Sequence, residues 1–287
     1  MKVMLVGGKG MLGTDFVTAA SQTGLQVKIL DLPEFDLCNK DQVAEGIRGA
    51  EIVLNCAAFT RVDDAEKERE LSHRINSTGA GILARACAAR GVKLIHISTD
   101  YVYNGRKGSP YVESDPVDPL NYYGVTKLEG EKEVLSAPWS GKARCIIVRT
   151  QSLYGLNGRN FVKAILGQLH QGKTELRVVN DQVSSPTYTK HLAAALLRLM
   201  PVDREGIVHV ACSGGCSWFD FAKAIVERVG AKVSVLPRST AELNYPALRP
   251  AFSILDTFLY TSWTGHTMPS WQEGLDDYLK EEPLAKF

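Results

Sequence analysis

The chain of 287 residues has little excess charge of either sign and no long hydrophobic run. It carries 33 lysines and arginines against 32 aspartates and glutamates, for a formal net charge of +1. Nucleic-acid-binding domains usually show a basic excess or a basic stripe, so this balance argues against such a partner. No apolar run approaches the roughly 18 residues that a membrane helix needs. The glycines after residue 6 also come too early for the roughly 7–15-residue core of a signal peptide. We therefore expect a cytoplasmic protein that binds neither nucleic acid nor membrane.

Cysteine and histidine are sparse, and neither residue type is spaced as a metal site requires. Cys56, Cys87 and Cys145 lie in apolar surroundings, where a reduced thiol behaves as a small core residue. Cys212 and Cys216 are close in sequence, but no second pair of cysteines or histidines stands at zinc-ligand spacing. We predict no metal site.

What the sequence does have is a regular order of short apolar runs and amphipathic, alanine-rich segments. Five runs predict strands that are covered on both faces, because their apolar residues do not alternate strictly with polar ones. They are KVMLV from Lys2, LQVKIL from Leu25, EIVLNC from Glu51, KLIHIS from Lys93 and CIIVRT from Cys145. Strand, helix and strand in this order give right-handed parallel crossovers. The fold class predicted is therefore α/β, a Rossmann-type doubly wound parallel sheet.

The pattern loosens after about residue 150, where proline and aromatic residues become more frequent. Further strands are predicted at 176–179, 207–210 and 233–236, and helices near 189–200 and 218–229. We interpret residues 1–150 as an NAD(P)-binding domain. Residues 151–287 are expected to form mainly a smaller C-terminal α/β lobe that binds substrate, with segments that return to the first sheet.

The stretch from residue 100 to residue 121 shows no helical or strand periodicity and contains three prolines. Loops longer than about 12–15 residues are uncommon in compact domains and are often functional. Because this one follows a predicted central strand, it should lie at the carboxyl edge of the sheet, where ligands bind.

A glycine-rich segment follows the first predicted strand and opens the first helix. Two registers fit the dinucleotide-binding pattern, either Gly7, Gly10 and Gly13 or Gly8, Gly10 and Gly13. In both, the glycines allow a tight turn and bring the backbone close to a pyrophosphate, which faces the free N–H groups of the helix. Asp31 ends the second predicted strand, and this context turns a weak glycine pattern into a prediction of dinucleotide binding.

Residues near the second strand are expected to select the nicotinamide cofactor. Asp31 would bind the ribose hydroxyls of NAD and repel the extra phosphate of NADP. Lys9 would favour that phosphate, or is simply a solvated lysine of the glycine loop. Asp36 is predicted either to bind the adenine amino group or to cap the following helix. Because Asp31 and Lys9 act in opposite directions, we predict that both NADH and NADPH are accepted.

Tyr123 and Lys127 lie four residues apart in a predicted helix, so their side chains share one face. An ammonium group near a phenol stabilises the tyrosinate and lowers its pKa, which suits a general acid at neutral pH. Thr99 ends the fourth predicted strand. Its hydroxyl is expected in the same cleft, where it either hydrogen-bonds a substrate carbonyl or caps the loop.

With these segments in place, the chain resembles the extended short-chain dehydrogenase/reductase superfamily and, within it, the dTDP-4-dehydrorhamnose reductase family. The matching segments cover nearly the whole chain in order, and several are more specific than a glycine loop. They are GGKGMLG from Gly7, NCAAFTRVDDAE from Asn55, STDYVYNG from Ser98, PLNYYGVTKLEGE from Pro119, RTQSLYG from Arg149, NFVK from Asn160, NDQVSSPTY from Asn180 and RPAFSILDT from Arg249.

The resemblance implies transfer of a hydride from NADPH or NADH to C4 of a dTDP-linked 4-keto-6-deoxy sugar, yielding dTDP-L-rhamnose for polysaccharide synthesis. It implies that Tyr123 donates the proton, that Lys127 tunes Tyr123 and holds the nicotinamide ribose, and that Thr99 orients the carbonyl. Asn76 is expected to support this catalytic region. The cofactor contacts expected are Gly7, Gly10, Met11, Leu12, Gly13, Asp31, Asp36, Leu37, Ala57, Ala58, Thr60, Tyr123 and Lys127. The substrate contacts expected are Val62, Thr99, Asp100, Tyr101, Tyr123, Asn180, Thr187 and Arg249.

The chain departs from the family pattern at several positions. RTQSLYG from Arg149 stands where the family often reads RTSWVYG, so an aromatic side chain that would pack on the sugar is absent. Ser184 replaces an expected glycine, and His191 an aspartate. Some members bind Mg²⁺ between subunits through acidic side chains. Asp15 matches one such position, but Lys190 replaces the next acid, so the prediction of no metal stands. The chain is expected to be a monomer or a homodimer.

Other interpretations stay open. A reductase, dehydratase or epimerase of another nucleotide sugar would share the fold. A dehydratase typically carries an Asp-Glu pair after the threonine, whereas Tyr101 follows Asp100 here, so the second acid is missing. An epimerase tends to be longer and to keep its NAD bound. A non-catalytic regulatory subunit would have little reason to keep Thr99, Tyr123 and Lys127 together.

Overall fold

The computed structural model describes residues 1–141 and 143–285. Its strands are β1 (Lys2–Val6), β2 (Gln26–Leu30), β3 (Ile52–Asn55), β4 (Lys93–Thr99), β5 (Cys145–Thr150), β6 (Leu153–Tyr154), β7 (Glu175–Val179), β8 (Val183–Ser184), β9 (Thr187–Tyr188), β10 (Gly206–His209), β11 (Cys216–Ser217) and β12 (Ser234–Arg238). Six of them form the main sheet, in the order β10-β5-β4-β3-β1-β2, with every neighbouring pair parallel.

The α-helices are α1 (Met11–Ser21), α2 (Lys40–Gly46), α3 (Val62–Ala65), α4 (Arg69–His73), α5 (Ala80–Arg90), α6 (Tyr122–Leu135), α7 (Phe161–His170), α8 (Thr189–Leu199), α9 (Trp218–Arg228), α10 (Phe258–Thr264) and α11 (Trp271–Glu281). A π-helix (Arg74–Gly79) joins α4 to α5, and short 3₁₀ turns lie at Asp100–Val102, Thr240–Glu242 and Pro283–Ala285. In the described part of the chain, none of the helices combines the length and the hydrophobicity that crossing a bilayer requires.

Helices cover both faces of the main sheet. On one face, Leu12 and Phe16 of α1 pack in the same cluster as Leu192 and Leu196 of α8. The other face is covered by α2, α5 and α6, through Val43, Leu83 and Val134. This arrangement buries the central strands on both sides, which explains their continuous apolar sequences.

The sequence predicted the main sheet correctly. All five predicted strands of the first 150 residues are present as parallel strands β1–β5. The strand predicted at 207–210 is β10, which pairs with β5, so the chain returns to the first sheet as expected. The division into a domain of residues 1–150 and a lobe of residues 151–287 stays a prediction.

Strand β2 corrects one expectation, because it is not covered on both faces. It is the edge strand and pairs only with β1. Gln26 and Lys28 are exposed, and 43% of the Ile29 surface is accessible. These polar residues inside an otherwise apolar run are typical of an edge strand.

A second core lies among the later elements. The strands predicted at 176–179 and 233–236 are β7 and β12, which pair in parallel, and the helix predicted near 218–229 is α9. Tyr154, Leu166, Phe221, Leu275 and Tyr278 are buried together in this core. It brings α7, α9 and α11 against the segment that leaves the main sheet after β5.

The long irregular segment predicted after β4 is present. After the 3₁₀ turn Asp100–Val102, it folds back so that Tyr103 stacks on Tyr111, with ring centroids 4.1 Å apart. Tyr111 forms an isolated parallel bridge with Leu255. The segment is thus held against the late part of the chain at the carboxyl edge of the sheet.

Candidate active site

The glycine loop has the geometry of a phosphate-binding turn. Gly7 has a φ of +78°, and a Cβ atom there would lie 2.6 Å from the backbone nitrogen of Ala57. A Cβ on Gly13 would lie 2.5 Å from the Gly7 carbonyl oxygen. Gly8, by contrast, approaches the movable side chain of Ile29 most closely. The backbone therefore supports the register of Gly7, Gly10 and Gly13.

The N-terminus of α1 is available to an anion. Its N-cap residue, Gly10, offers no side chain that could bind the first helical N–H groups. Such groups and the helix dipole together favour a pyrophosphate. The turn and the helix end therefore fit the phosphates of a dinucleotide cofactor.

Asp31 and Lys9 are linked to each other through the backbone. The Asp31 carboxylate accepts hydrogen bonds from the Lys9 and Leu32 backbone nitrogens, each at 2.8 Å. The Lys9 ammonium donates to the Leu32 carbonyl at 2.6 Å and pairs with Glu34 at 3.3 Å. A cavity of about 760 Å³ beside these residues is lined in part by Asp31 and Gln42. Lys9 is exposed but has these two partners, and both interpretations of its role stay predictions.

Asp36 does not cap the following helix, so that alternative is wrong. Its carboxylate accepts a hydrogen bond from the Cys38 backbone nitrogen at 2.8 Å. The N-cap of α2 is instead Asn39, whose side chain accepts from the backbone nitrogens of Asp41 and Gln42. A contact between Asp36 and the adenine stays a prediction.

The other cofactor candidates differ in exposure. Leu37 is buried, Ala57 and Ala58 are half-buried, and Thr60 is exposed. The Asn55 side chain accepts a hydrogen bond from the Ala57 backbone nitrogen at 3.1 Å, which holds this segment close to Gly7. Cofactor contacts at these positions stay predictions.

Helix α6 carries the two predicted catalytic residues on one face. Asn121 caps the helix by accepting a hydrogen bond from the Gly124 backbone nitrogen. Lys127 is only 2% exposed, and its ammonium donates to the Ile97 carbonyl at 2.6 Å. Burial lowers the pKa of Lys127 to about 8, although the nearby Glu131 carboxylate opposes this shift.

Tyr123 keeps its proton in this arrangement. Burial raises the pKa of the phenol to about 12, although a hydrogen bond with the Thr99 side chain opposes this shift. The expected lowering of the pKa by Lys127 is not found, because burial dominates and the charge of Asp100 raises the pKa of the phenol further. A phenol that is protonated at neutral pH is equipped to donate a proton rather than to remove one.

Thr99 and Asp100 extend the group that surrounds the Tyr123 phenol. The Thr99 hydroxyl donates to the Asp100 carboxylate at 3.1 Å and accepts from the Tyr101 backbone nitrogen at 3.2 Å. Asp100 is 2% exposed, and burial raises its pKa to about 6 despite hydrogen bonds with Thr99 and Ser253. Thr99 therefore caps the loop and also contacts Tyr123, while its hydrogen bond to a substrate carbonyl stays a prediction.

Asp100 gives the chain a predictable dependence of stability on pH. Its pKa in the folded chain lies above the ordinary value of 3.8, so the folded state binds this proton more tightly than the unfolded state. The resulting stabilisation is complete below about pH 4 and is lost as the pH rises through about 6. Relative to Asp100→Asn, we expect the wild type to lose about 1 kcal/mol of unfolding free energy between about pH 5 and about pH 7.

Urea unfolding of both proteins across this pH range measures the difference. Asp118→Asn, which alters an exposed carboxylate that accepts from Asn104, is the matched control and should show no such trend. A difference between wild type and Asp100→Asn that is flat, or that grows in favour of the wild type with rising pH, would contradict the assignment.

Asn76 links the loop after β3 to the catalytic helix. It is buried within the π-helix, and its side-chain oxygen accepts from the Phe59 backbone nitrogen at 2.8 Å. Its amide nitrogen donates to the Phe59 carbonyl and to the Thr126 hydroxyl. Asn76 thus connects the predicted cofactor loop to α6, as expected of a supporting residue.

A buried ion pair beneath the site was not anticipated from the sequence. Arg149 of β5 donates to both carboxylate oxygens of Glu131, at 2.9 and 2.6 Å. Arg149 also donates to the Tyr103 hydroxyl, and Ser98 donates to Glu131. The available signal was that Glu131 follows Lys127 by one helical turn and that Arg149 ends a buried run. The pair fixes α6 against β4 and β5.

Two substrate candidates lie on the same side of the site. The guanidinium of Arg249 binds both carboxylate oxygens of Asp63, at 3.1 and 2.6 Å, next to Val62 at the start of α3. The Arg249 guanidinium also lies 3.8 Å from the centroid of the Tyr245 ring. Tyr101 stands edge-on to Tyr123, with ring centroids 5.8 Å apart. These contacts join a late segment of the chain to the region around Tyr123.

The remaining substrate candidates fare differently. Thr187 is wholly buried, and its hydroxyl donates to the Ser185 carbonyl and accepts from the Cys212 backbone nitrogen. Its side chain is therefore engaged within the protein, and a substrate contact of Thr187 stays a prediction. Asn180 is exposed at the end of β7, and its substrate contact stays a prediction.

The positions that depart from the family pattern have local partners. The Ser184 hydroxyl lies 2.7 Å from that of Ser152. His191 lies 3.2 Å from the Asp277 carboxylate. Lys190 pairs with Glu281, and Asp15 accepts a hydrogen bond from the Thr189 hydroxyl. Within residues 1–141 and 143–285, no three His, Cys, Asp or Glu side chains are grouped so as to hold a metal ion.

The chain is similar to known proteins over almost its full length. The model of a family described as the RmlD substrate binding domain matches residues 1–283. The spore coat polysaccharide biosynthesis protein SpsK of Bacillus subtilis is 39% identical, covering 99% of both chains. A dTDP-4-dehydrorhamnose reductase of Mycolicibacterium smegmatis is also 39% identical, over 96% of this chain and 84% of its own.

A solved structure shows the same architecture. The dTDP-4-dehydrorhamnose reductase of Bacillus anthracis, determined in complex with NADP, is 38% identical. It aligns with a TM-score of 0.91 over 98% of this chain and 99% of its own.

Proposed function

The chain belongs to the RmlD substrate binding domain family, and on this premise we propose that it is a dTDP-4-dehydrorhamnose reductase. It reduces the C4 keto group of dTDP-4-dehydro-L-rhamnose to the hydroxyl of dTDP-L-rhamnose, with NADPH or NADH as cofactor. The observation that carries the proposal is the grouping of three residues at the end of β4, where Tyr123 is hydrogen-bonded to Thr99 and lies one helical turn from the buried Lys127. The curated reductases among its relatives and the NADP complex of one of them support the same activity.

The proposed mechanism assigns the proton to the protein. The bound nicotinamide supplies the hydride for the carbonyl carbon. The Tyr123 hydroxyl donates its proton to the carbonyl oxygen, and Thr99 orients that oxygen by a hydrogen bond. The Lys127 ammonium, held near the end of β4 by the Ile97 carbonyl and one helical turn from Tyr123, would hold the ribose of the nicotinamide.

The residues near Asp31 predict a relaxed choice of cofactor. Lys9 can meet the 2′-phosphate of NADPH only by giving up its contacts with Leu32 and Glu34, and Asp31 repels that phosphate. We expect kcat/KM values for NADH and NADPH to lie within about a hundredfold of each other. Lys9→Ala should lower the value for NADPH by about tenfold, the usual loss for one charged hydrogen bond, and leave NADH little changed.

Steady-state kinetics with each cofactor give both ratios. Lys173→Ala, which removes an exposed cation that contacts Gln168 and does not line this cavity, is the control and should alter neither cofactor selectively. A wild-type preference above a hundredfold in either direction would refute the expectation.

One assay tests the proposed function. The purified chain is mixed with NADPH and dTDP-4-keto-6-deoxy-L-sugar made in situ, and the loss of nicotinamide absorbance is followed together with the product. Reduction to dTDP-L-rhamnose supports the proposal. Product formed with retained NAD and no net oxidation would indicate an epimerase, reduction of other nucleotide sugars alone would indicate another reductase, and no turnover of any would indicate a regulatory subunit.

A further inference from the structure

Gln151 carries a buried primary amide without a hydrogen-bond partner among the described residues. The residue is 2% exposed, and both side-chain polar atoms, Oε1 and Nε2, are unpaired. The hydroxyl of the preceding residue, Thr150, is likewise buried and unpaired. Leaving such groups unpaired away from water is costly, and most buried polar groups in native proteins have a partner. The two residues together form a buried polar pair whose side chains have no partner among the described residues.

Thr150 and Gln151 lie beside the predicted reaction centre. Thr150 is the last residue of β5, and it stands in register with Thr99, the last residue of β4. Parallel neighbours in register lie side by side, so Thr150 stands beside Thr99, and the loop that begins at Gln151 leaves the sheet one residue further on. Tyr123 in turn contacts Thr99.

The loop that starts at Gln151 runs to the glycine turn. Five residues after Thr150, the chain comes against the first turn of α1. A Cβ atom on Gly155 would lie 3.0 Å from the Met11 side chain. A dinucleotide with its pyrophosphate at α1 and its nicotinamide near Tyr123 spans the same two points. Gln151 stands at the nicotinamide end of that path.

The conformation of this loop is tightly constrained. Ser152 has a φ of +47° and is the only residue other than glycine with a positive φ in the described chain. Its hydroxyl pairs with that of Ser184, and its carbonyl accepts from the Thr187 backbone nitrogen at 3.1 Å. Strained residues that are fixed by their surroundings cluster at ligand-binding segments. The position of the neighbouring Gln151 is therefore set by the backbone rather than by contacts of its own amide.

We propose that the Gln151 side chain binds the carboxamide of the nicotinamide ring and so fixes the face of the ring that points at the substrate. A primary amide has one acceptor oxygen and a donor nitrogen, which complement the nitrogen and oxygen of a second primary amide. The pairing would satisfy both atoms that the protein leaves unpaired. This inference rests on the proposed function in one respect only, namely that the cofactor is a nicotinamide dinucleotide.

The test uses Gln151→Leu and three ligands, NADP⁺, its 3-acetylpyridine analogue and 2′-phospho-ADP-ribose. The acetyl group of the analogue lacks the N–H donor, and phospho-ADP-ribose lacks the nicotinamide altogether. The wild type should bind NADP⁺ more tightly than the analogue by about tenfold, the effect of one unpaired buried group. Gln151→Leu should lose this discrimination and bind phospho-ADP-ribose as the wild type does. Gln171→Leu, which alters an exposed glutamine, is the matched control.

Two further measurements separate binding from folding. In the ligand-free state, Gln151→Leu should have an unchanged or higher Tm, because it removes an unpaired buried amide. Deuteride transfer from cofactor labelled on one face of the ring should be stereospecific in the wild type and less so in the variant.

Several outcomes would overturn the inference. If Gln151→Leu still binds NADP⁺ more tightly than the analogue, the Gln151 amide does not bind the carboxamide. A lower Tm with equal weakening of all three ligands would show a structural role. Unchanged cofactor binding with a raised Kd for the nucleotide sugar would show that the amide contacts the sugar. A wild type that does not reduce the keto sugar would refute the proposed function, but it would leave the binding result to be judged by itself.

Discussion

Replacing Tyr123 with phenylalanine is expected to lower kcat for reduction of the keto sugar by about a hundredfold to ten-thousandfold, the usual contribution of a general acid. The change removes the phenolic proton and the hydrogen bond to Thr99 but keeps the ring beside Tyr101. The Kd for NADPH should change little, because the ring and Lys127 remain. Single-turnover kinetics and a binding titration measure the two quantities.

Tyr122→Phe is the matched control for this experiment. Tyr122 lies beside Tyr123 in the same helix, but its ring is covered by the guanidinium of Arg69 at 4.8 Å. It should keep nearly full activity. If Tyr123→Phe reduces the keto sugar at the wild-type rate, the assignment of the proton donor is wrong. If Tyr122→Phe shows the large loss, the proton donor has been assigned to the wrong tyrosine.

Removing Arg149 is expected to produce the largest loss of stability. Arg149→Met leaves the Glu131 carboxylate buried without its counter-charge, and breaking a buried pair in this way costs about 3–5 kcal/mol. Both side chains are almost fully inaccessible to water, and the fork of two hydrogen bonds between them is lost together. Urea denaturation of wild type and variant at neutral pH measures the change.

Two controls test the physical reason. Arg85→Met breaks an exposed ion pair with Glu133 and should cost no more than about 1 kcal/mol. The double variant Arg149→Met with Glu131→Leu removes both buried charges and should recover most of the lost stability. A double variant that is less stable than Arg149→Met alone would show that packing of the two side chains, rather than the uncompensated charge, sets the cost.

The fold could be predicted from the sequence because each central strand of the main sheet is a short run of mostly apolar residues. Runs such as CIIVRT are buried throughout and mostly apolar because helices cover both faces of the sheet. The same signal failed for β2, where apolar residues and an edge position coexist. Position within a sheet depends on which strands pair, and a single run of residues does not carry that information.

The candidate site was partly predictable for a related reason. Tyr123 and Lys127 share a helix turn, and Thr99 ends a strand, so local rules place them near one another. The direction of the Lys127 ammonium depends on the Ile97 carbonyl, which belongs to another element. The pairing of Asp63 with Arg249 joins residues that are far apart in sequence. Such tertiary contacts fix the surroundings of the site, and no local pattern specifies them.

The return of the chain to the main sheet has a consequence for biosynthesis. Strand β10 pairs with β5, and α8 completes the apolar layer above α1, yet both are made only after residues 151–188 have been translated. A nascent chain that has been translated as far as β5 already contains Tyr123 and Lys127, but the edge of β5 has not yet been paired with β10. Such edges and uncovered apolar faces attract other chains. The main sheet is therefore completed late in translation, and its exposure to other chains ends only when most of the polypeptide has left the ribosome.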